Sequence, residues 1–192
     1  MARYHLAQLN VGLVRAPADS PELTDFMAGI GPVNALADAE PGFVWRLQDG
    51  DGPGATALRP RGPDLMVNMS VWETLETLRD FVYRNGPHLD FMRRRREWFH
   101  RMAEEHLVLW WVPAGHIPDL DEGLSRLDLL QASGPSPLAF TFRDPYAAPA
   151  GQPDRANPGQ AGSHQDRDRF LHPSSGPAGD RRAATGQAAA WR

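Results

Sequence analysis

The sequence contains no cysteine. Disulfides, thiolate nucleophiles and cysteine-ligated zinc or iron–sulfur centres are therefore excluded. It contains no lysine either: all 20 basic residues are arginine, against 24 acidic ones, for a net charge of −4. That balance gives no global attraction to nucleic acid. No apolar run approaches the ~20 residues needed to span a bilayer. The opening MARYHLAQLNVGLV lacks the basic start, long apolar run and small-residue cleavage site of a secretory leader. A cytoplasmic protein with no membrane or nucleic-acid partner is expected. Also missing are HxH and HExxH spacings, a GxSxG elbow and a phosphate-cradling glycine loop, since DGDGPG at 49–54 is turn chemistry. No metal site and no cofactor are expected.

What is present is enough apolar material for one well-buried domain, including six tryptophans in 192 residues. Residues 3–14 alternate like a strand. Ser20-Pro21 opens a helix that Gly31-Pro32 should interrupt before residues 33–39 resume it. Residues 43–48 (FVWRLQ) and 65–71 (LMVNMSV) read as strands, with a short return strand at 55–59 between them. Ser70 with Glu73 matches a capping box opening a helix with Leu75, Leu78 and Val82 inward. Asn85-Gly86-Pro87 breaks that helix, and a second piece follows from His88. HLVLWWV at 106–112 is apolar on both sides, as a central strand would be. Asp119 caps a last helix with Leu120, Leu124, Leu127 and Leu130 inward, and LAFTF at 138–142 can form a final strand. The domain is expected to span 1–145. Residues 146–192 are rich in Ala, Gly, Pro and Arg and poor in aliphatics, so a disordered tail is expected.

This order, β-α-β-β-α-β plus a helix, suggests a ferredoxin-like α+β fold, an antiparallel sheet with helices on one face. The other face needs cover, and pairing two copies into a dimeric α+β barrel supplies it. Period-two alternation puts Asn68, Ser70 and Trp72 on one side of their strand and Val67, Met69 and Val71 on the other. Gln8 and Asn10 oppose Ala7, Leu9 and Val11, while Arg46 opposes Trp45. With the apolar sides under the helices, Gln8, Asn10, Arg46 and Asn68 converge on the open face, where a small-molecule pocket or simple mutual hydrogen bonding would satisfy them.

YHLAQLNVG, PVNALADAEPGFVWRLQ, MVNMSVWETLETLRDFVY, RRRREWF, LVLWWVPAGHIP and LAFTFR occur in order over residues 3–145. Together they resemble the bacterial domain of unknown function 3291 family. That family is similar in turn to the dimeric α+β barrel superfamily, which includes antibiotic-biosynthesis and haem-degrading monooxygenases. The resemblance implies a homodimer with a small-molecule ligand and two kinds of chemistry. In cofactor-independent oxygenation, Asn10 and Asn68 would orient the substrate and Arg46 would stabilise its anion. Trp45 and Trp72 would form a stacking wall, with Gln8 and His88 completing the binding site. In haem degradation, Asn10, Trp72 and His88 fall in places similar to the haem-site residues. The alternatives are structural: Trp72 anchoring strand to helix, His88 capping its helix, and the whole chain acting as a non-catalytic ligand-binding or dimer-scaffold protein. Arg93 to Arg96 point around a helix rather than to one side, so a solvated or interface-facing helix is expected rather than an anion clamp by Arg93 or Arg96, with Arg94 able to lie on Trp98.

Overall fold

The computed structural model describes residues 3–50 and 54–150. The segment expected to be disordered lies outside the described residues from 151 onward. Four strands form one antiparallel sheet: β1 (Tyr4–Leu13), β2 (Phe43–Arg46), β3 (Leu65–Trp72) and β4 (Leu107–Pro113), in the order β2-β3-β1-β4. This is the ferredoxin-like arrangement, with β3 returning between β1 and β2. A 3-10 turn (Pro21–Leu23) leads into α1 (Thr24–Asp38), followed by α2 (Leu75–Arg84), α3 (Gly86–Arg93), α4 (Arg95–Trp98) and α5 (Leu120–Ser133).

Sheet register decides which side chains share a face. Ala7, Leu9 and Val11 pair with Val71, Met69 and Val67, and with Trp110 and Val108 on the other side. These residues are buried together with Leu124, Leu127 and Leu130 of α5. Gly123 makes that docking close: a Cβ there would stand 2.8 Å from the Met69 sulfur and 3.5 Å from the Trp110 ring. The opposite face packs under α1 to α4. There Trp72 stacks on Phe81 of α2, and Met66 joins Leu23 and Trp98 beneath Phe26 and Phe91. α5 is thus a third layer that the expectation of helices on one face did not contain. The apolar side of the sheet is covered within one chain, with Leu9, Met69, Val108 and Trp110 at 0% exposure. The bare face that was to call for a second copy is therefore not there.

Three local expectations are corrected. α1 runs through Gly31-Pro32 without interruption. Pro32 and Ala28 both lie on the exposed side, so the carbonyl that proline leaves unpaired can be hydrated. The helix after β3 is capped by Thr74, not Ser70: the Thr74 hydroxyl accepts from the Thr77 N–H at 3.1 Å, and the Thr77 hydroxyl accepts from the Thr74 N–H. β3 continues through Trp72, so Ser70 is still in strand where a cap would have to stand. Residues 55–59 and 138–142 form no regular strand. The latter segment contributes two isolated bridges, Phe140 to Leu109 at the β4 edge and Ala139 to Ser136. We expect Thr74→Ala to cost about 1 kcal/mol in denaturant unfolding, the usual value of an N-cap hydroxyl.

The chain beyond α5 is tied down farther than residue 145. The Tyr146 carbonyl accepts from Trp111 Nε1 at 2.8 Å, and its ring lies 5.9 Å from that of Phe140. We propose that the domain extends at least through Ala150. Truncation there should leave unfolding unchanged, whereas truncation at Asp144 should cost about 1–2 kcal/mol by removing this partly buried contact. Thermal unfolding of the two truncated proteins separates the boundaries.

Candidate functional site

The helix-covered face carries two polar cross-strand rows. Register aligns Arg46, Ser70, Gln8 and Leu109 in one, and Asn68, Asn10 and Leu107 in the next. Side chains facing each other this way have Cβ atoms about 4.5–5.5 Å apart, so each row is a contiguous set of groups. Asn68 Nδ2 donates to Asn10 Oδ1 at 3.0 Å. Asn68 is exposed although Met66 and Ser70, its neighbours on the same side of β3, are buried, so the cover of this face opens locally over the pair. Gln8 and Ser70, one row deeper, are 5% and 7% exposed. The amide pair thus lies at the surface, with a buried polar floor of Gln8 and Ser70 one row deeper.

Ser70 is the hub of that floor. Its Oγ lies 2.9 Å from Trp72 Nε1, which donates to it, and 3.0 Å from Gln8 Nε2. Reading Ser70 as a helix cap hid this role. The available signal was its place between Asn68 and Trp72 on one side of a strand. Arg46 is held by Asp38 of α1, with Nε to Oδ1 at 2.9 Å and Nη2 to Oδ2 at 3.3 Å. Its Nη1 is buried without a partner among the described residues. Gln8, Asn10, Asn68 and Arg46 therefore share one face as expected, but that face lies under α1 to α4 rather than open.

Trp45 does not join them. A register shift between Phe43 and Trp45 puts Trp45 opposite Val71, against the α5-side core. Phe43 takes the place beside Trp72 instead, edge-on with ring centroids 5.3 Å apart. Trp72 is 1% exposed, and its far side stacks on Phe81. It anchors strand to helix while its N–H reaches the polar floor. Phe81 in turn meets the His88 ring at 4.6 Å. The α3 cap is Asn85, whose Oδ1 accepts from the His88 N–H at 3.1 Å, so His88 itself is free of that duty.

The His88 imidazole is 7% exposed, bonded to the Val82 carbonyl, with Nδ1 unpartnered. That nitrogen is sealed from solvent, and Asn10 is engaged with Asn68 rather than with the Trp72–Phe81–His88 stack. The residues do not fit the haem arrangement. Burial pushes the His88 pKa below the ordinary 6.5, and burial together with Arg95 does the same to His106. Below 6.5 the unfolded chain binds protons that these folded side chains still refuse. Stability is therefore fully present above that pH and falls as the pH drops below it. We expect the melting temperature to fall between about pH 7.5 and 5.5, and His88→Phe to reduce that fall.

The arginine run is dispersed. Arg93 pairs with Asp90, while Arg94 pairs with Asp25 and Glu97 and lies 4.9 Å over the Trp98 ring. Arg95 turns inward to His106 at 3.4 Å. Trp110 and Trp111 face opposite ways as expected, Trp110 donating to Glu122 at 2.9 Å on the α5 side. Among the described residues, no three His, Asp or Glu side chains are grouped to hold a metal ion, and no helix is long and apolar enough to cross a membrane.

Over residues 5–156 the chain matches the Domain of unknown function (DUF3291) family. It belongs to that family. No curated protein matches this DUF3291 chain. Among solved structures it is similar to SnoaB, a cofactor-independent oxygenase from Streptomyces nogalater, at 16% identity and a TM-score of 0.38, covering 60% of this chain and 96% of that one. A Chloroflexus aurantiacus protein with a provisional antibiotic biosynthesis monooxygenase name gives 14% and 0.38, covering 60% and 98%. The assignment of the DUF3291 chain to the ferredoxin-like fold rests on its own strand order.

Proposed function

We propose that this protein binds a small, oxygen-bearing aromatic molecule in the cleft above Asn10 and Asn68, and oxygenates it without a cofactor. The observation that carries the reading is the exposed Asn68–Asn10 pair on an otherwise covered sheet face, beside the row that holds the unpartnered Arg46 Nη1. A buried guanidinium N–H without an acceptor favours a ligand oxygen, and most strongly an anionic one. An enolised substrate held there is itself the reductant: a CH2 group and O2 give C=O and water. The protein contributes orientation through the asparagines and anion stabilisation through Arg46.

A second reading, non-catalytic ligand binding, is favoured by the absence of any Asp, Glu or His hydrogen-bonded to Asn10 or Asn68 among the described residues. Oxygenation then requires a substrate acidic enough to arrive deprotonated. Oxygen uptake with an anthrone as probe distinguishes the two. Uptake that requires the protein supports oxygenation, while binding without uptake leaves a binding protein. A homodimer is part of the proposal, formed through a surface other than the one α5 covers. Light scattering that gives the mass of one chain at micromolar concentration would overturn it.

A further inference from the structure

The Gln8–Ser70–Trp72 floor has a hydrogen-bond imbalance that points to what the cleft accepts. An indole N–H can only donate, so Ser70 Oγ must accept from Trp72 at 2.9 Å. The hydroxyl proton of Ser70 then needs an acceptor. The cross-strand neighbour on β2 is Arg46, which has none to offer. The neighbour on β1 is Gln8, whose amide end lies 3.0 Å from Ser70 Oγ. With the amide nitrogen there, Ser70 Oγ accepts twice, as its two lone pairs allow, but its own proton finds no acceptor among the described residues. The two ends of a carboxamide are nearly isosteric, so the hydrogen-bond network decides between them. The remaining amide atom of Gln8 makes no hydrogen bond to the described residues, and it is not among the sealed, unpartnered atoms. It therefore meets accessible space.

We infer that Gln8 turns its carbonyl to the Ser70 hydroxyl and its NH2 to the cleft, which makes Gln8 a specificity-determining residue for a ligand oxygen that accepts hydrogen bonds. In that orientation Trp72 donates to Ser70 and Ser70 donates to Gln8, and Gln8 presents two N–H donors and no acceptor. Arg46 on the same row carries no acceptor either, and a ligand group that is itself a donor would leave the Gln8 NH2 unmatched. The inference rests on the cleft being a ligand site, and it adds the polarity of the group that enters deepest.

Gln8→Glu tests it, because a carboxylate keeps the shape, accepts from Ser70 with one oxygen and turns an acceptor to the cleft with the other. The probes are 1-naphthoate and 1-naphthylamine, equal in ring size and opposite in hydrogen-bonding sense, with binding followed by tryptophan fluorescence at neutral pH. The native protein should prefer 1-naphthoate by about tenfold or more, and Gln8→Glu should erase or reverse that preference. Gln8→Asn, which shortens the amide, should weaken 1-naphthoate without favouring 1-naphthylamine, so the result does not depend on one variant folding. Equal binding of both probes to the native protein, or an unchanged preference in Gln8→Glu, overturns the inference and leaves the cleft a ligand site. Binding of neither probe overturns the ligand reading together with it.

Discussion

Trp110→Ala is expected to lower the unfolding free energy by about 3–5 kcal/mol. The indole is fully buried between the sheet and α5, against Leu9, Met69 and the backbone at Gly123. Its loss leaves a cavity that the sheet cannot close, since β4 is held in register by β1 along its length. It also strips Glu122 of the 2.9 Å N–H that holds one of its oxygens, leaving His116 at 2.7 Å on the other. For a domain of this size the fall corresponds to roughly 10–15 °C in melting temperature. Trp111→Ala, on a half-buried side chain of the opposite face, should cost well under half as much. Comparable losses from the two variants would mean that α5 contributes no more to stability than an edge contact.

The contrast between those two tryptophans marks where sequence reading succeeds. Adjacent strand residues must point apart, so Trp110 and Trp111 could be assigned to opposite faces from spacing alone. The same period gathered Gln8, Asn10 and Asn68 on one side. It cannot say which helices cover which side. The leucine stripe of α5 requires an apolar surface, and both an unpaired sheet face and a partner chain satisfy that requirement equally. Trp45 lies on the α5 side, where alternation against Arg46 puts it, and only the resemblance placed it beside Trp72. The irregularity at Val44 acts on Phe43 instead, moving it to the Trp72 side. Thr74 and Ser70 are both plausible caps by residue type, and only the extra strand residues Val71 and Trp72 decide between them. The Arg46–Asp38 pair was not legible either, since it joins α1 to β2 across a turn. That turn is set by Gly42 at φ 81°, where a Cβ would meet Thr77 at 2.6 Å.

Arg46→Met separates the site from the scaffold. Its stability cost should be small, about 1 kcal/mol or less, for two reasons. Asp38 is 44% exposed and is hydrated once released, and methionine fills the volume of the buried stem. The buried Nη1 that no protein group satisfies disappears with the charge, which offsets part of the lost ion pair. For an anionic ligand the balance runs the other way. A charge-assisted hydrogen bond in a sheltered site is worth about 2–3 kcal/mol. The variant should therefore bind 1-naphthoate roughly 30- to 150-fold more weakly than the native protein, with 1-naphthylamine nearly unaffected. A large drop in melting temperature with unchanged 1-naphthoate affinity would reverse the assignment, making Arg46 a structural clamp between α1 and β2 and moving the anion away from this row.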